Sequence, residues 1–380
     1  MVKGLYIHIP FCHQICNYCD FNKFFFKDQP VDAYIESLGK ELALWKRNGA
    51  LDEPVKTIFL GGGTPTSLEP KQLVRLTSLI HQYVPMAEGV EWSSEANPDE
   101  LTKEKMQVLF DAGVNRLSMG VQTFDAELLK RIGRTHAPED IARAVNDARA
   151  IGFDNISFDL MYGLPGQTME QWTDTLGKAY AFDLPHFSAY SLIIEPKTVF
   201  YNLMSKGKLQ TVTEELEADM YNVLMEEMNK RGRKQYEISN FALPGYESRH
   251  NLIYWDNESY IGVGAGAHGY VDGIRYSNAG PLKKYMEPLD AHVRPVLNEH
   301  RVPLSEQMEE EMFLGLRKTA GVSLSHFTEK FERNIEEVYG TILAEEQAKG
   351  NLVIEADHAK LTRQGRFVGN EVFEKFLLGS

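Results

Sequence analysis

Cysteine is scarce in this sequence: there are three in 380 residues, and all fall in the run Phe11-Cys12-His13-Gln14-Ile15-Cys16-Asn17-Tyr18-Cys19-Asp20. An odd, tightly clustered count excludes a disulfide framework, and a chain of this length buries its own core without covalent staples. Long apolar runs are missing as well. No uninterrupted stretch reaches the ~20 residues that a bilayer crossing needs, so no integral membrane segment is expected and peripheral association is the membrane role left open. Val2 to Pro10 read as a strand and lack the charged start, apolar run and small-residue cleavage site of a secretory signal. Together with reduced thiols, this gives a cytoplasmic protein as the expectation. A basic excess is absent too: 40 Lys and Arg stand against 54 Asp and Glu, a formal charge of −14. That argues against a nucleic-acid partner, since phosphate binding needs a basic surface.

What is present begins with the cysteine spacing, C-x3-C-x2-C. Thiolate-held clusters usually take four cysteines. Three can hold three irons of a cubane, and with no fourth cysteine in the chain an exogenous small molecule is the simplest completion of the fourth iron. A Cys3His zinc site using His13 or His8 draws on the same donors and stays open on spacing alone.

Short β-rich runs alternate with amphipathic helical stretches. Strands are expected at Leu5–Ile9, Val55–Leu60, Val90–Ala96, Arg116–Gln122, Asn155–Met161 and His186–Ile194. The helical patterns are Asp32–Arg47, Pro70–Tyr83, Asp99–Ala112, Pro138–Ile151, Met169–Phe182 and Thr213–Arg231. Strands separated by helices of this length imply βαβ units and a parallel sheet, with chemistry at the C-terminal ends of the strands. Polar residues sit there. Gly61-Gly62-Gly63-Thr64-Pro65 follows Ile58-Phe59-Leu60 directly, Glu95 ends the third strand, Gln122 the fourth, Arg134 lies just downstream and Asp159 falls within the fifth. Each alone reads equally well as a loop polar group or a structural hydrogen-bonding group. A zwitterionic, ribose-bearing ligand, however, needs this set: a cation for its carboxylate and acceptors for its hydroxyls.

The cysteine motif, with Tyr18 before its last cysteine, resembles that of the radical S-adenosylmethionine (SAM) enzymes. The resemblance implies a [4Fe–4S] cluster on Cys12, Cys16 and Cys19. SAM would chelate the open iron through its amino and carboxylate groups, and one-electron reduction would yield a 5′-deoxyadenosyl radical. It also favours an α/β fold built as a partial (β/α)6 barrel over a doubly wound sheet. Further matches narrow it to the coproporphyrinogen dehydrogenase group: Tyr6-x-His8-Ile9-Pro10-Phe11-Cys12, Gly120-Val121-Gln122, Arg131-x-x-x-Thr135-His136, Tyr162-Gly163-Leu164-Pro165-Gly166-Gln167 and Tyr236-Glu237-Ile238-Ser239-Asn240-Phe241-Ala242. Tyr6, Gly62, Gly63, Thr64, Glu95, Gln122, Arg134 and Asp159 fall on that group's SAM-site positions.

Three features separate the decarboxylase from the haem-chaperone branch of this group. The decarboxylase carries another cysteine two residues after the third, where this chain has Phe21. It also has a long N-terminal segment, whereas eleven residues precede Cys12 here. His250-Asn251-Leu252-Ile253-Tyr254-Trp255 matches the HNxxYW motif of the chaperones. The resemblance therefore implies haem or porphyrin as ligand, with His250 on the iron, and haem-acceptor proteins as partners. From the residues alone His250 reads as a hydrogen-bonded histidine packed among Tyr246, Tyr254 and Trp255. Tyr254 and Trp255 suit either stacking on a porphyrin or anchoring the loop. Oxygen-independent coproporphyrinogen III oxidation, converting propionates to vinyl groups, is the alternative, so whether the chain is an enzyme stays open.

Gly262-x-Gly264-x-Gly266-x-His268 has its third glycine misplaced for dinucleotide binding. A turn on the cluster side of the barrel fits it, with His268 unassigned. Residues 1–300 are expected to form the barrel domain with its extension and 301–380 a small C-terminal domain. There, helical runs at Ser305–Arg317, Ser323–Phe331 and Ile335–Lys349 precede two short strands, Asn351–Glu355 and Ala359–Thr362, resembling the group's winged-helix-like α+β domain. That fold does not fix function, and the acidic Glu309, Glu310, Glu311, Glu336 and Glu337 suit a scaffold or docking role.

Overall fold

Six parallel strands follow one another along the chain in the computed structural model, which describes residues 1–378: β1 (Gly4–Ile9), β2 (Val55–Gly62), β3 (Met86–Ala96), β4 (Arg116–Gln122), β5 (Asn155–Tyr162) and β6 (His186–Ser191). They pair in sequence order, β1 with β2 through to β5 with β6, all parallel. This is the partial barrel expected of alternating strands and helices. Residues 379 and 380, the end of the expected C-terminal domain, lie outside the described residues.

The sheet continues beyond the barrel at both edges to twelve strands. Short antiparallel strands β7 (Lys234–Glu237) and β8 (Asn240–Ala242) extend the β6 edge. On the other side β9 (Tyr260–Val263) runs parallel to β1 and leads into the antiparallel β10 (His268–Val271), β11 (Ile274–Asn278) and β12 (Val296–Arg301).

Helices cover the outer face because each carries one apolar stripe. In α1 (Val31–Arg47) the stripe is Tyr34, Ile35, Leu38, Leu42 and Trp45, all buried. Basic Lys46 and Arg47 close its last turn, where they oppose the helix dipole. One apolar cluster runs from Leu5 and Ile7 through Trp92, Leu117 and Phe158 to Tyr285 and Leu289. Truncating one of its leucines to alanine is expected to cost about 2–5 kcal/mol.

Several boundaries differ from expectation, the third strand beginning at Met86 rather than Val90 and the helix from Met169 ending at Tyr180 rather than Phe182. The sixth strand stops at Ser191 rather than Ile194. Leu192 and Ile194 pack instead on a separate cluster with Leu128, Leu129 and Phe200, so an apolar run that reads as strand serves a loop. The third helix begins at Lys103, not Asp99, because the Thr102 hydroxyl caps it by accepting from the Lys105 N–H at 3.3 Å.

The last strand of the large sheet ends at Arg301, and a second apolar cluster starts at Met308 and reaches Phe376. Helices Leu304–Gly315, Leu324–Phe331 and Ile335–Ala348 pack there with a small sheet of Val322–Ser323, Leu352–Glu355 and His358–Leu361. Two short helices follow, Arg363–Phe367 and Gly369–Lys375. This unit clasps the barrel extension through an Arg275–Glu310 ion pair, a Lys318–Asp256 ion pair and Arg317 stacked 4.7 Å over Trp255.

Candidate functional site

The inward positions of the barrel strands are polar. On β4, Arg116, Ser118, Gly120 and Gln122 face the lumen at alternate positions, as strand geometry requires. Asp159 and Met161 on β5, and Ser188 and Tyr190 on β6, do the same. A barrel filled by its own branched side chains would be a packed core. This one instead encloses a cavity of about 490 Å³, within the range of ligand pockets.

Every residue that the sequence assigns to the cluster, to SAM or to haem lines that cavity: Cys12, Cys16 and Cys19, Tyr6, Tyr18, Gly62, Gly63, Thr64, Glu95, Gln122, Arg134, Asp159 and His250. All but His250, which lies on a helix after β8, come from the first five strands and the connections after them. His268 is not among the lining residues.

The cysteine loop leaves β1 through Phe11–Cys12, which pairs with Phe24–Phe25 in a two-stranded ladder. Asn17, a residue the sequence reading passed over, fixes the loop. Its N–H donates to Ile132 O and its Nδ2 to Arg131 O, both at 2.9 Å, while its own carbonyl accepts from the Phe200 N–H at 3.0 Å. Asn22 fastens the loop's far side by donating to Ala265 O at 2.8 Å and Gly280 O at 3.0 Å. The glycine-rich turn after β9 therefore packs against the cysteine loop. At Gly266 a Cβ would come 2.8 Å from Asn22.

All three thiols are free. Burial pushes the Cys12 thiol up to about 12 and raises that of Cys19, so they are neutral until a metal claims them as thiolates. The histidines that a zinc site would need are engaged elsewhere. His8 pairs with the Tyr6 hydroxyl at 2.9 Å and with Asn22 O at 2.7 Å, using both ring nitrogens. His13 Nε2 lies 3.2 Å from Ser67 O. Among the described residues no three His, Cys, Asp or Glu side chains are gathered tightly enough for a single ion. Three thiols sharing one cavity without converging on a point suit a multi-iron cluster, in which each thiolate takes its own iron.

The glycines at the mouth of β2 are there for lack of room. Gly62 has φ +112°, and a Cβ on it would lie 2.4 Å from the His8 ring; a Cβ on Gly63 would lie 2.8 Å from the backbone of Ile9, Pro10 and Phe11. The Gly62 N–H donates to Glu95 Oε2 at 3.0 Å. Burial, then the nearby Asp159 charge, pushes the Glu95 carboxyl up to about 8. Asp159 is raised by burial as well, against the Ser118 hydroxyl bonded to its two oxygens at 3.0 and 3.1 Å. Arg134 donates to Asn97 Oδ1 at 2.5 Å and to the Tyr18 hydroxyl at 2.9 Å, and its Nε has no partner. Gln122 is left-handed, φ +64°, at a register shift between β4 and β5. Backbone held in that region by a non-glycine residue turns the side chain into the cavity.

His250 lies on a short helix, Arg249–Trp255, whose first N–H groups donate to Glu91 at 3.0 Å. Its ring is buried, stacked on Phe59 with centroids 5.2 Å apart, and both nitrogens are bonded: Nδ1 to Thr57 Oγ1 at 2.7 Å and Nε2 to the Tyr254 hydroxyl at 2.8 Å. Burial, then the Arg116 charge, holds its pKa down to about 3, so the imidazole is neutral. The two aromatic roles divide: Tyr254 lines the cavity, whereas Trp255 lies under Arg317, toward the C-terminal unit.

The Radical SAM superfamily pattern matches residues 6–179, and the HemN C-terminal domain pattern residues 302–368. A protein named heme chaperone HemW from Bacillus subtilis (strain 168) is 50% identical over 378 residues, covering 99% of both chains. Another of that name from Lactococcus lactis subsp. lactis (strain IL1403) is 46% identical over 376 residues, covering 99% of this chain and 97% of its own. Among solved structures, coproporphyrinogen III oxidase (HemN) from Escherichia coli, described as a radical SAM enzyme, matches with a TM-score of 0.87 at 23% identity, covering 99% of this chain and 90% of that one. At that identity the likeness establishes the fold, a radical SAM α/β barrel, and nothing about the reaction.

Proposed function

The chain belongs to the heme chaperone HemW family of radical SAM proteins, and from that membership we propose that it binds haem and hands it to acceptor haemoproteins. The superfamily implies a [4Fe–4S] cluster and SAM as cofactors. When bound, the cluster supplies single electrons to the SAM sulfonium.

This chain's residues divide the work. Cys12, Cys16 and Cys19 hold the cluster. Gly62, Gly63 and Thr64 offer backbone and hydroxyl groups where no side chain intrudes. Arg134 supplies the cation for a carboxylate, with Tyr18 bonded to it, and Tyr6 walls the cavity beside Phe59. Gln122, Glu95 and Asp159 accept from hydroxyls or an amino group. His250 is the haem ligand, neutral across the physiological range and therefore ready for iron.

One observation carries the reading: His250 of the HNxxYW run lines the same cavity as the cysteine motif. Phe21, which is 60% exposed where the decarboxylase has its further cysteine, supports the chaperone over the oxidase. The test is to titrate the anaerobically reconstituted protein with haem, follow transfer to an apo-haemoprotein, and assay coproporphyrinogen III in parallel. Stoichiometric haem uptake and transfer without decarboxylation are expected; decarboxylation without haem uptake would establish the oxidase instead. No helix among the described residues is long and apolar enough to cross a membrane.

A further inference from the structure

Arg116 opens β4 at the end of the lumen away from the cysteine loop, and its side chain is 98% removed from solvent, at 2% exposure. Buried guanidinium groups normally meet a carboxylate, as the buried Arg233 does with Asp183, beside the Leu184 carbonyl. Among the described residues no Asp or Glu forms an ion pair with Arg116. Its Nε has no partner, and among the described residues its side chain's one hydrogen bond is a long one, 3.3 Å from Nη2 to His186 Nδ1. That acceptor is shared with the Ser157 hydroxyl at 2.7 Å, and His186 Nε2 is taken by the Tyr236 hydroxyl at 2.9 Å.

The carboxylates around Arg116 make no hydrogen bond to it, although Asp159 feels its charge. Glu91 spends both oxygens on the backbone N–H groups of Arg249 and His250, and Asp159 holds the Ser118 hydroxyl. Burial pushes Asp159 and Glu95 toward their neutral forms. A cation with no hydrogen-bonded carboxylate thus faces the cavity, which Phe59, Tyr254 and Met161 also line with apolar surface. This pairing of one fixed charge with aromatic walls fits a large, flat ligand bearing a carboxylate.

We propose that Arg116 anchors the lumen's ligand by binding a carboxylate of the tetrapyrrole whose iron His250 takes, so that one propionate enters the barrel first. This rests on the haem reading for the identity of the ligand, but not for the anion site itself.

The full-length, cluster-reconstituted protein is titrated with haem, with haem dimethyl ester and with metal-free coproporphyrin III, as wild type, Arg116→Gln and Arg116→Lys. The wild type is expected to bind haem roughly ten- to a hundredfold more tightly than Arg116→Gln does, the difference one charge-assisted contact makes. Arg116→Lys should recover part of the loss, and the diester should bind wild type and Arg116→Gln alike. SAM affinity, read in parallel, should be equal in all three proteins. Haem affinity unchanged in Arg116→Gln, or the diester weakened as much as the diacid, overturns the anchor and leaves the haem reading standing. If the wild type takes up coproporphyrin III in an Arg116-dependent way but not haem, the haem reading fails and the anchor survives. If it takes up neither, both fail. Should Arg116→Gln not fold, the diacid-to-diester ratio on wild type and Arg116→Lys decides, and a ratio near one overturns the proposal.

Discussion

The Tyr254 hydroxyl lies 2.8 Å from His250 Nε2, one helical turn along the same short helix, while Thr57 holds Nδ1 at 2.7 Å. The imidazole is thus oriented from one side and capped on the other, and iron can reach it only by displacing Tyr254. His250→Ala should lower haem affinity at least tenfold or shift the Soret band, with the cluster still formed. Tyr254→Phe keeps the ring and frees Nε2, so haem affinity should hold or rise, while stability falls by about 1 kcal/mol for one lost hydrogen bond. If both variants only lower the melting temperature and leave the Soret band of the folded protein as it was, His250 is a packed core residue.

The cluster prediction rests on three thiols sharing one cavity. Anaerobic reconstitution should give one [4Fe–4S] centre per chain by iron and sulfide analysis. Cys16→Ala should abolish it, because two thiolates do not retain the cubane. Stoichiometric zinc without iron in protein purified under nitrogen would show instead that a histidine has left its present partner to complete a zinc site.

Arg134 stands between Asn97 and Tyr18 with its Nε free. Arg134→Ala should weaken SAM binding by roughly ten- to a hundredfold, a loss of about 1.5–3 kcal/mol for a charge-assisted contact, and leave the cluster's absorption unchanged. Calorimetry giving the wild-type affinity would make Arg134 a strut for the cysteine loop through Tyr18.

Much of the barrel was legible because its strands are short β-rich runs separated by helices with one apolar face, and the cysteine spacing is specific by itself. The rest was hidden for physical reasons. Strands β7 to β12 are short and interrupted by Gly262, Gly269 and Gly273, so they carry little periodic signal. Leu192 and Ile194 are apolar and β-compatible, yet pack on a satellite cluster that only tertiary structure creates. At the site, Asn17 and Arg116 sit in local contexts that could equally be solvated. The alternation of Arg116, Ser118, Gly120 and Gln122 was the available signal: a strand polar on the face that a filled barrel would make apolar. That both His250 nitrogens are engaged depends on Thr57, far away in sequence, and no local pattern announces it.

Glu95 is buried and its carboxyl is pushed up to about 8, from burial first and the Asp159 charge second. Its pKa is thus higher in the folded chain than in the unfolded one, where it is about 4.3. Between those values the folded state binds the extra proton, so stability contributed by this group is full below about pH 4.3 and falls as pH rises toward 8. The contribution of Glu95 to the stability of the ligand-free protein should therefore fall from pH 5 to pH 8, read as the difference between wild type and Glu95→Gln, in which the opposite contribution of the buried histidines, whose pKa values burial lowers, cancels. Glu95→Gln keeps the side chain's shape and cannot ionise. Relative to wild type it should raise stability at pH 8 by a few kcal/mol, on the order of the shift, and change little at pH 5. Equal slopes for the two proteins in thermal melts across this range would mean that Glu95 is ionised in the folded state throughout and that the Gly62 N–H compensates its burial.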